Sequence, residues 1–174
     1  MAVSITVPIN FGRLTSKLKN LDLVNRVPTE ALNLSGPLLV GLSKLTFRDS
    51  ADPYGVPWAP LKSRDGKPLL DSGNLRNSIN FKVAASVLRI GPNVGYGAIH
   101  QTGGTTPARV ITPKNAKALA FKIGGVTVFA KKVNHPGSKI PRRAYLPDER
   151  GLPDDWRDVL KEQFETVVKR HLAG

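Results

Sequence analysis

The placement of the acidic residues restricts what this chain can fold into more than any other feature of its sequence. All 13 aspartates and glutamates lie at or before Asp71 or at or after Asp148, so the window 72–147 contains no carboxylate. This carboxylate-free window holds twelve cations: Arg76, Lys82, Arg89, Arg109, Lys114, Lys117, Lys122, Lys131, Lys132, Lys139, Arg142 and Arg143. Local ion pairs cannot neutralise it, so it must face solvent, a polyanion such as nucleic acid, or an acidic surface of a protein partner.

The length and the residue types that are missing narrow the class of protein. A chain of 174 residues predicts a single domain, 1–174. No run approaches the roughly 20 apolar residues of a transmembrane helix, and nothing resembles a signal peptide, so we expect no membrane partner. The chain has no Cys, which excludes disulfides, thiolate metal sites and cysteine nucleophiles. A chain without Cys also fits synthesis and assembly in a reducing cytoplasm.

The N-terminal region, 1–48, is predicted to contain a strand and helices. Alternating apolar residues over 2–7 predict a short strand. Apolar spacings of three and four predict one helix over 10–23 and a second over 28–47, which has a proline in its first turn. Because Pro37 removes an amide donor and clashes with the preceding turn, we expect a kink or a break there.

Residues 49–77 are predicted to form a long loop with a short helix. The loop is rich in Pro and Gly and has Trp58 in its middle. A large aromatic in a long loop either pins the loop onto the core or forms an interface, and we keep Trp58 as an interface candidate. The short helix is predicted after Asp71 or Ser72, either of which suits an N-cap.

Residues 78–148 are predicted to be rich in strands. The expected strands cover 78–84, 86–91, 110–112, 118–123 and 126–133. Gly124-Gly125 lies between the last two and indicates a two-residue hairpin turn, because such a turn requires positive φ. The chain after these strands is predicted to be extended as far as 148.

The final segment, 152–172, is predicted to be an amphipathic helix that begins at Pro153. Aspartates near its start and cations near its end complement the helix dipole. Its apolar face has helical spacing and consists of Trp156, Val159, Leu160, Phe164, Val167, Val168 and Leu172. The elements together predict an α+β fold, in which an antiparallel β meander or sheet is flanked by N-terminal helices and this C-terminal helix.

Residues that could carry chemistry are sparse, so we predict that the chain is not an enzyme and uses no cofactor or metal. His100, His135 and His171 show no metal-ligand spacing, and the window around the first two offers no carboxylate. The sequence has no Gly-x-Ser-x-Gly elbow for a nucleophile. The glycine-rich stretch 91–97 lacks the Lys-Ser/Thr pair of a phosphate-binding loop.

Nucleic-acid binding is the alternative that the basic window supports. Twelve cations without a carboxylate would attract phosphates in a salt-dependent way. However, no helix-turn-helix, zinc finger or RNA-recognition motif is visible. The few aromatic residues of the window alternate like core residues, which does not favour stacking on single strands.

A series of short motifs runs in a fixed order over residues 45–148. The motifs are FRD (47–49), PYGVPWAPL (53–61), GKPLLDSGNLRNSI (66–79), IGPN (90–93), YGAIHQ (96–101), ITPK (111–114), KALAF (117–121), VFAKKV (128–133), HPG (135–137) and IPRRAYL (140–146). In this order the motifs resemble the phage virion morphogenesis (tail completion) family, which is related in role to the neck proteins of long-tailed phages.

The resemblance implies a non-enzymatic structural protein of the virion of a tailed bacteriophage, assembled in the host bacterial cytoplasm. It implies action in tail completion and head–tail joining at the neck, as a ring of six copies or a multiple of six. The implied partners are further copies of the chain, tail terminator and head–tail adaptor or stopper proteins, and passing genomic DNA.

Two regions are predicted to make the contacts of such a ring, which must join different surfaces of neighbouring subunits. One is the loop around Trp58. The other is the basic segment 131–145, and its candidates for facing a partner or DNA are Lys131, Lys132, Lys139, Arg142 and Arg143. We expect an acidic protein partner rather than DNA, because a channel must let DNA pass without gripping it.

Overall fold

The computed structural model describes residues 5–7, 21–62 and 65–173, with side chains from residue 26 onward except at 122 and 123. The described residues form four helices and nine strands in this order: β1 Ile5–Val7, α1 Leu21–Asp49, α2 Asn74–Asn77, β2 Ile79–Ala84, β3 Val87–Pro92, α3 Gly97–Thr102, β4 Gly104–Thr105, β5 Arg109–Ile111, β6 Leu119–Ile123, β7 Val126–Ala130, β8 Val133–His135, β9 Lys139–Ile140 and α4 Asp154–Ala173. The predicted α+β class with antiparallel strands is confirmed.

Helix α1 runs without interruption through Pro28 and Pro37, so there is no break at Pro37, one of the two predicted outcomes there, and the predicted start at Pro28 is wrong. The physical reason is packing, since the inner face of α1 is buried at Val27, Leu39 and other positions three or four residues apart. Pro37 lies on the exposed face, where water can bind the carbonyl that loses its amide partner. The helix predicted over 10–23 falls outside the described residues except for its last three, which begin α1.

The first sheet has the strand order β1-β3-β2, and both pairings are antiparallel. Strand β3 is central because Ile90 lies opposite both Ile5 and Phe81. The β2–β3 hairpin turns at Ala85 and Ser86, which have φ values of 49° and 57°. Two successive positive φ angles are what a tight hairpin turn requires, although neither residue is glycine.

Close packing between α1 and β2 depends on a glycine. A Cβ atom on Gly36 would overlap the ring of Phe81. Gly36 has helical φ and lies inside α1, so glycine is needed here for space and not for backbone freedom.

We therefore expect Gly36→Ala to lower the free energy of unfolding by about 1–3 kcal/mol, because the Phe81 ring must move. Gly41→Ala is the matched control in the same helix, since its new Cβ would meet no atom within 4 Å. That control should stabilise the protein by up to about 1 kcal/mol through helix propensity. Urea denaturation measures both values, and equal stabilisation by the two substitutions would contradict the close packing.

The main hydrophobic core lies between α1, the three-stranded sheet, the loop after α1 and the start of α4. Four large aromatic side chains are almost fully buried in it: Phe47, Trp58, Tyr145 and Trp156. A second cluster joins the start of α1 to the end of α4 through Val27, Ala31 and Val167. Leu172 was predicted on the apolar face of α4 but is 69% exposed.

The remaining strands form a long two-stranded ribbon that leaves the body of the protein, and we call residues 104–140 the β-arm. Its pairs are nested: β4 pairs with β9, β5 with β8, and β6 with β7, all antiparallel. The tip is the predicted turn at Gly124-Gly125, which is confirmed by φ values of 56° and 87°. The strand predicted over 126–133 is wrong as one piece, because the ladder is interrupted at 131–132.

Two smaller details also differ from the sequence prediction. The N-cap of α2 is Gly73, with φ 75° and no side-chain cap, rather than Asp71 or Ser72. The single meander expected for 78–148 is divided into the three-stranded sheet and the separate β-arm. Among the described helices, none has an apolar stretch long enough to span a membrane.

Candidate interaction surface

The base of the β-arm is fixed to the core by residues 143–146, which we call the anchor segment. The Tyr145 hydroxyl donates a hydrogen bond to the carbonyl of Gly97 (3.0 Å), and the Ser43 hydroxyl donates to the carbonyl of Tyr145 (2.8 Å). All four residues of the segment are buried. The place where the arm leaves the body is therefore held by side chains from α1 and by the start of α3.

Gln101 completes this anchoring from inside the protein. Its amide oxygen accepts hydrogen bonds from the backbone N–H groups of Tyr145 (3.0 Å) and Leu146 (3.1 Å). Its amide nitrogen donates to the carbonyl of Leu146 (2.8 Å). Only 6% of Gln101 is exposed, so one side chain satisfies three buried backbone groups that have no strand partner. Sequence reasoning assigned no role to Gln101.

Arg143 and Trp58, which were predicted to face a partner, are instead buried in the core. Arg143 is 8% exposed, and its guanidinium donates to the carbonyls of Ala59 (2.9 Å) and Pro60 (3.1 Å). Burial lowers the pKa of Arg143 from its usual value. The Trp58 indole donates to the carbonyl of Ala144 (2.9 Å) and packs edge-on against Phe47. Both side chains pin the loop after α1 to the anchor segment.

Arg142 is exposed, but it belongs to an ion network within the chain. It pairs with the carboxylate of Asp148, which also accepts from Arg150 at 2.9 Å. Arg150 in turn reaches Asp52 (2.7 Å) and lies 3.7 Å from the ring centre of Tyr54. The hydrogen bond from Arg150, followed by the smaller one from Arg142, holds the pKa of Asp148 well below its usual value. The basic window is thus partly neutralised at its C-terminal end.

Exposed lysines gather where the ladder of the β-arm is interrupted. The interruption lies between the pairs Ile111–Val133 and Leu119–Ala130, so residues 112–118 face residues 131–132. Four exposed lysines occupy this level of the arm, and we call them the lysine cluster: Lys114, Lys117, Lys131 and Lys132. The third predicted lysine, Lys139, is exposed nearer the base. With no carboxylate on the arm, the cluster faces solvent or an anion from outside the arm.

The tip of the β-arm also exposes apolar side chains. Cross-strand register places Leu119 and Phe121 on one face with Val126, Val128 and Ala130, since paired residues share a face and alternate ones repeat it. Val126 is 68% exposed, and Phe129 on the opposite face is 71% exposed. No described residue of the arm belongs to either hydrophobic cluster of the body. The tip therefore carries apolar surface that the described residues do not bury.

Stability measurements can distinguish exposed side chains of the arm from buried side chains of the core. Phe129→Ala is expected to change the free energy of unfolding by less than about 0.5 kcal/mol, as for an exposed side chain. Phe47→Ala, the same change at a fully buried site, should cost about 3–5 kcal/mol. Urea denaturation of both variants tests the distinction, and a loss above about 1.5 kcal/mol for Phe129→Ala would place the arm tip in the core.

The described residues contain no group of three or more His, Asp or Glu that could hold a metal ion. The three histidines lie apart and have different surroundings. The His135 Nδ1 accepts from the N–H of Gly137 in a turn (3.0 Å), and His171 lies 3.0 Å from Glu30. His100 has its Nδ1 buried without a hydrogen-bond partner, and burial together with Arg143 lowers its pKa.

The described residues form a small α+β body with a basic, partly apolar β-arm that is anchored at its base by buried hydrogen bonds. The sequence profile of the phage virion morphogenesis family matches residues 9–169, which is most of the chain. The chain belongs to this family, and its role is in the morphogenesis of a phage virion.

One relative is the Mu-like prophage FluMu G protein 2 of Haemophilus influenzae. It is 38% identical over 69 residues, a match that covers 33% of this chain and 50% of that protein. The match thus spans about half the length of this curated relative. No solved structure matches the chain.

Proposed function

We propose that the protein is a non-enzymatic component of the head–tail junction of a tailed phage, where it completes the tail and joins it to the head as part of an oligomeric ring. Membership in the virion morphogenesis family supports a structural role in the particle. The observation that carries the proposal is the β-arm. It exposes apolar residues and has no carboxylate, and exposed apolar surface of this kind is typical of a contact with another protein.

A ring explains why the arm is held so firmly at its base. Subunits in a closed ring use different surfaces on their two sides, so one part of each copy must reach its neighbour. The anchor segment ties the arm to Ser43 of α1 and to Gly97 at the start of α3. A firmly held arm loses little conformational freedom on docking, which favours assembly. Six copies or a multiple, next to tail terminator and head–tail adaptor or stopper proteins, are the partners we propose.

Nucleic-acid binding is the second candidate, and the lysine cluster is the observation that favours it. Four exposed lysines at one level of a ribbon resemble a phosphate-binding surface. The exposed Phe129 and Val126 argue against a duplex as the main partner, because phosphates do not cover aliphatic and aromatic surface in this way. Passing genomic DNA remains a proposed neighbour of the ring.

The proposal is tested by electron microscopy of particles made when the gene for this chain is silenced. DNA-filled heads beside separate or malformed tails are the expected result, with whole virions restored by a plasmid copy of the gene. Normal numbers of infectious virions without the protein would overturn the proposal.

A further inference from the structure

We propose that the β-arm of one copy docks on the outer side of the helix pair α1–α4 of the next copy, with the lysine cluster against the carboxylates of α4. This inference rests on the proposed ring. It goes further by assigning both surfaces of the contact between copies and the chemistry that joins them.

The outer side of α4 carries the chain's densest group of carboxylates. Asp154, Asp155, Asp158, Glu162 and Glu165 are all exposed. At 100° per residue they fall within about one third of the helix circumference, opposite the buried Trp156 and Val167. Within the described residues Asp154 pairs with the neighbouring Arg157. The other four are available to opposite charges, and we call all five the acidic stripe.

Charge complementarity favours a second copy of the chain as the partner that the arm contacts. The arm has cations and no carboxylate, and residues 154–165 of α4 have five carboxylates and two cations, Arg157 and Lys161. The base of the arm is fixed by Gln101 and the anchor segment. A contact between arms and stripes of successive copies joins unlike surfaces, which is the geometry that closes a ring.

The helix pair also offers apolar surface for the tip of the arm. Leu34, Leu38 and Leu45 of α1 are 38%, 45% and 40% exposed, and their spacings of four and seven place them along one line of the helix. No charged residue occurs in α1 between Glu30 and Lys44. Since α1 and α4 pack against each other, the apolar line of α1 and the acidic stripe of α4 combine in one helix pair. The arm tip, with Val126 and Phe129, matches this combination.

The test uses two charge-reversed variants of the full chain. The arm variant is Lys131→Glu/Lys132→Glu, and the stripe variant is Asp158→Lys/Glu162→Lys. Each should sediment as a monomer where the wild type forms rings, because each places like charges against each other at every contact. An equal mixture of the two should assemble again, since acidic arms meet basic stripes and basic arms meet acidic stripes.

Disulfide trapping gives a second readout in a chain that has no Cys of its own. Lys132→Cys with Glu162→Cys should form intersubunit disulfides on mild oxidation. The control pair, Lys82→Cys with Glu162→Cys, uses an exposed lysine of β2 outside the arm and should not.

The outcomes separate this inference from the proposed function. Monomeric wild type, unimpaired assembly of either single variant, or a mixture that fails to assemble overturns the docking. A 20-base-pair duplex is the probe for DNA: if the arm variant loses binding to it and still forms rings, the arm faces DNA and the docking is wrong. The gene-silencing experiment stands apart, because unjoined tails without the protein support the proposed function whichever surface joins the copies.

Discussion

Replacing Gln101 with Met is expected to lower the free energy of unfolding by about 3 kcal/mol, although the two side chains have similar volume. Met keeps the packing but leaves the N–H groups of Tyr145 and Leu146 and the carbonyl of Leu146 without their partner. An unsatisfied buried backbone group costs about 1–3 kcal/mol, and partial relaxation or entry of water offsets some of the sum. Urea denaturation measures the difference.

The matched control for this prediction is Gln163→Met on α4. Gln163 is half-buried and its amide makes no hydrogen bond to another described residue, so the change should stay within about 0.5 kcal/mol. Equal effects at both positions would show that Gln101 matters through packing alone. A loss of unfolding free energy at Gln101 several times that at Gln163 would show that the anchor segment depends on the Gln101 amide.

Reversing charge at the lysine cluster is expected to abolish joining while the subunit still folds. Like charges brought together at an interface cost several kcal/mol, so Lys131→Glu/Lys132→Glu should lower the infectious titre by at least about a hundredfold. Both lysines are exposed, and the midpoint of thermal unfolding should therefore move by only a few degrees. Arg143 must be left intact, because its buried guanidinium holds the carbonyls of Ala59 and Pro60.

Lys82→Glu/Arg89→Glu is the control for this second prediction. It makes the same change in net charge within the carboxylate-free window, at two exposed residues that lie opposite each other on β2 and β3. Titres of complemented phage should stay near the wild-type value for the control. A similar loss for both pairs would mean that net charge matters and the arm does not.

The sequence correctly predicted the elements whose conformation depends mainly on residues close together in the chain. The turn at Gly124-Gly125 was found because only glycine adopts successive positive φ angles without cost. Helix α4 was found from its apolar spacing and its charged ends. Helix α1 was missed as one element, because the sequence shows what Pro37 costs the helix and not the burial of Leu39 and Phe47 that offsets it.

The surface residues were harder to predict, because in an extended segment the exposure of a side chain depends on which other parts of the fold pack beside it. Arg142 and Arg143 are neighbours of the same type, yet one is exposed and the other is buried against the loop after α1. Gln101 contacts residues 44 and 45 positions away, and no local pattern indicates that. Lys131, Lys132 and Lys139 are exposed, and their contact with a partner or DNA remains a prediction.

Cryo-electron microscopy of the intact virion would show directly where the protein lies and how its copies contact each other. We expect a ring of several copies at the head–tail junction, with the α1–α4 body of each copy touched by the β-arm of the next. Density for this fold elsewhere in the particle, or no copies in the finished virion, would contradict a role as a neck component.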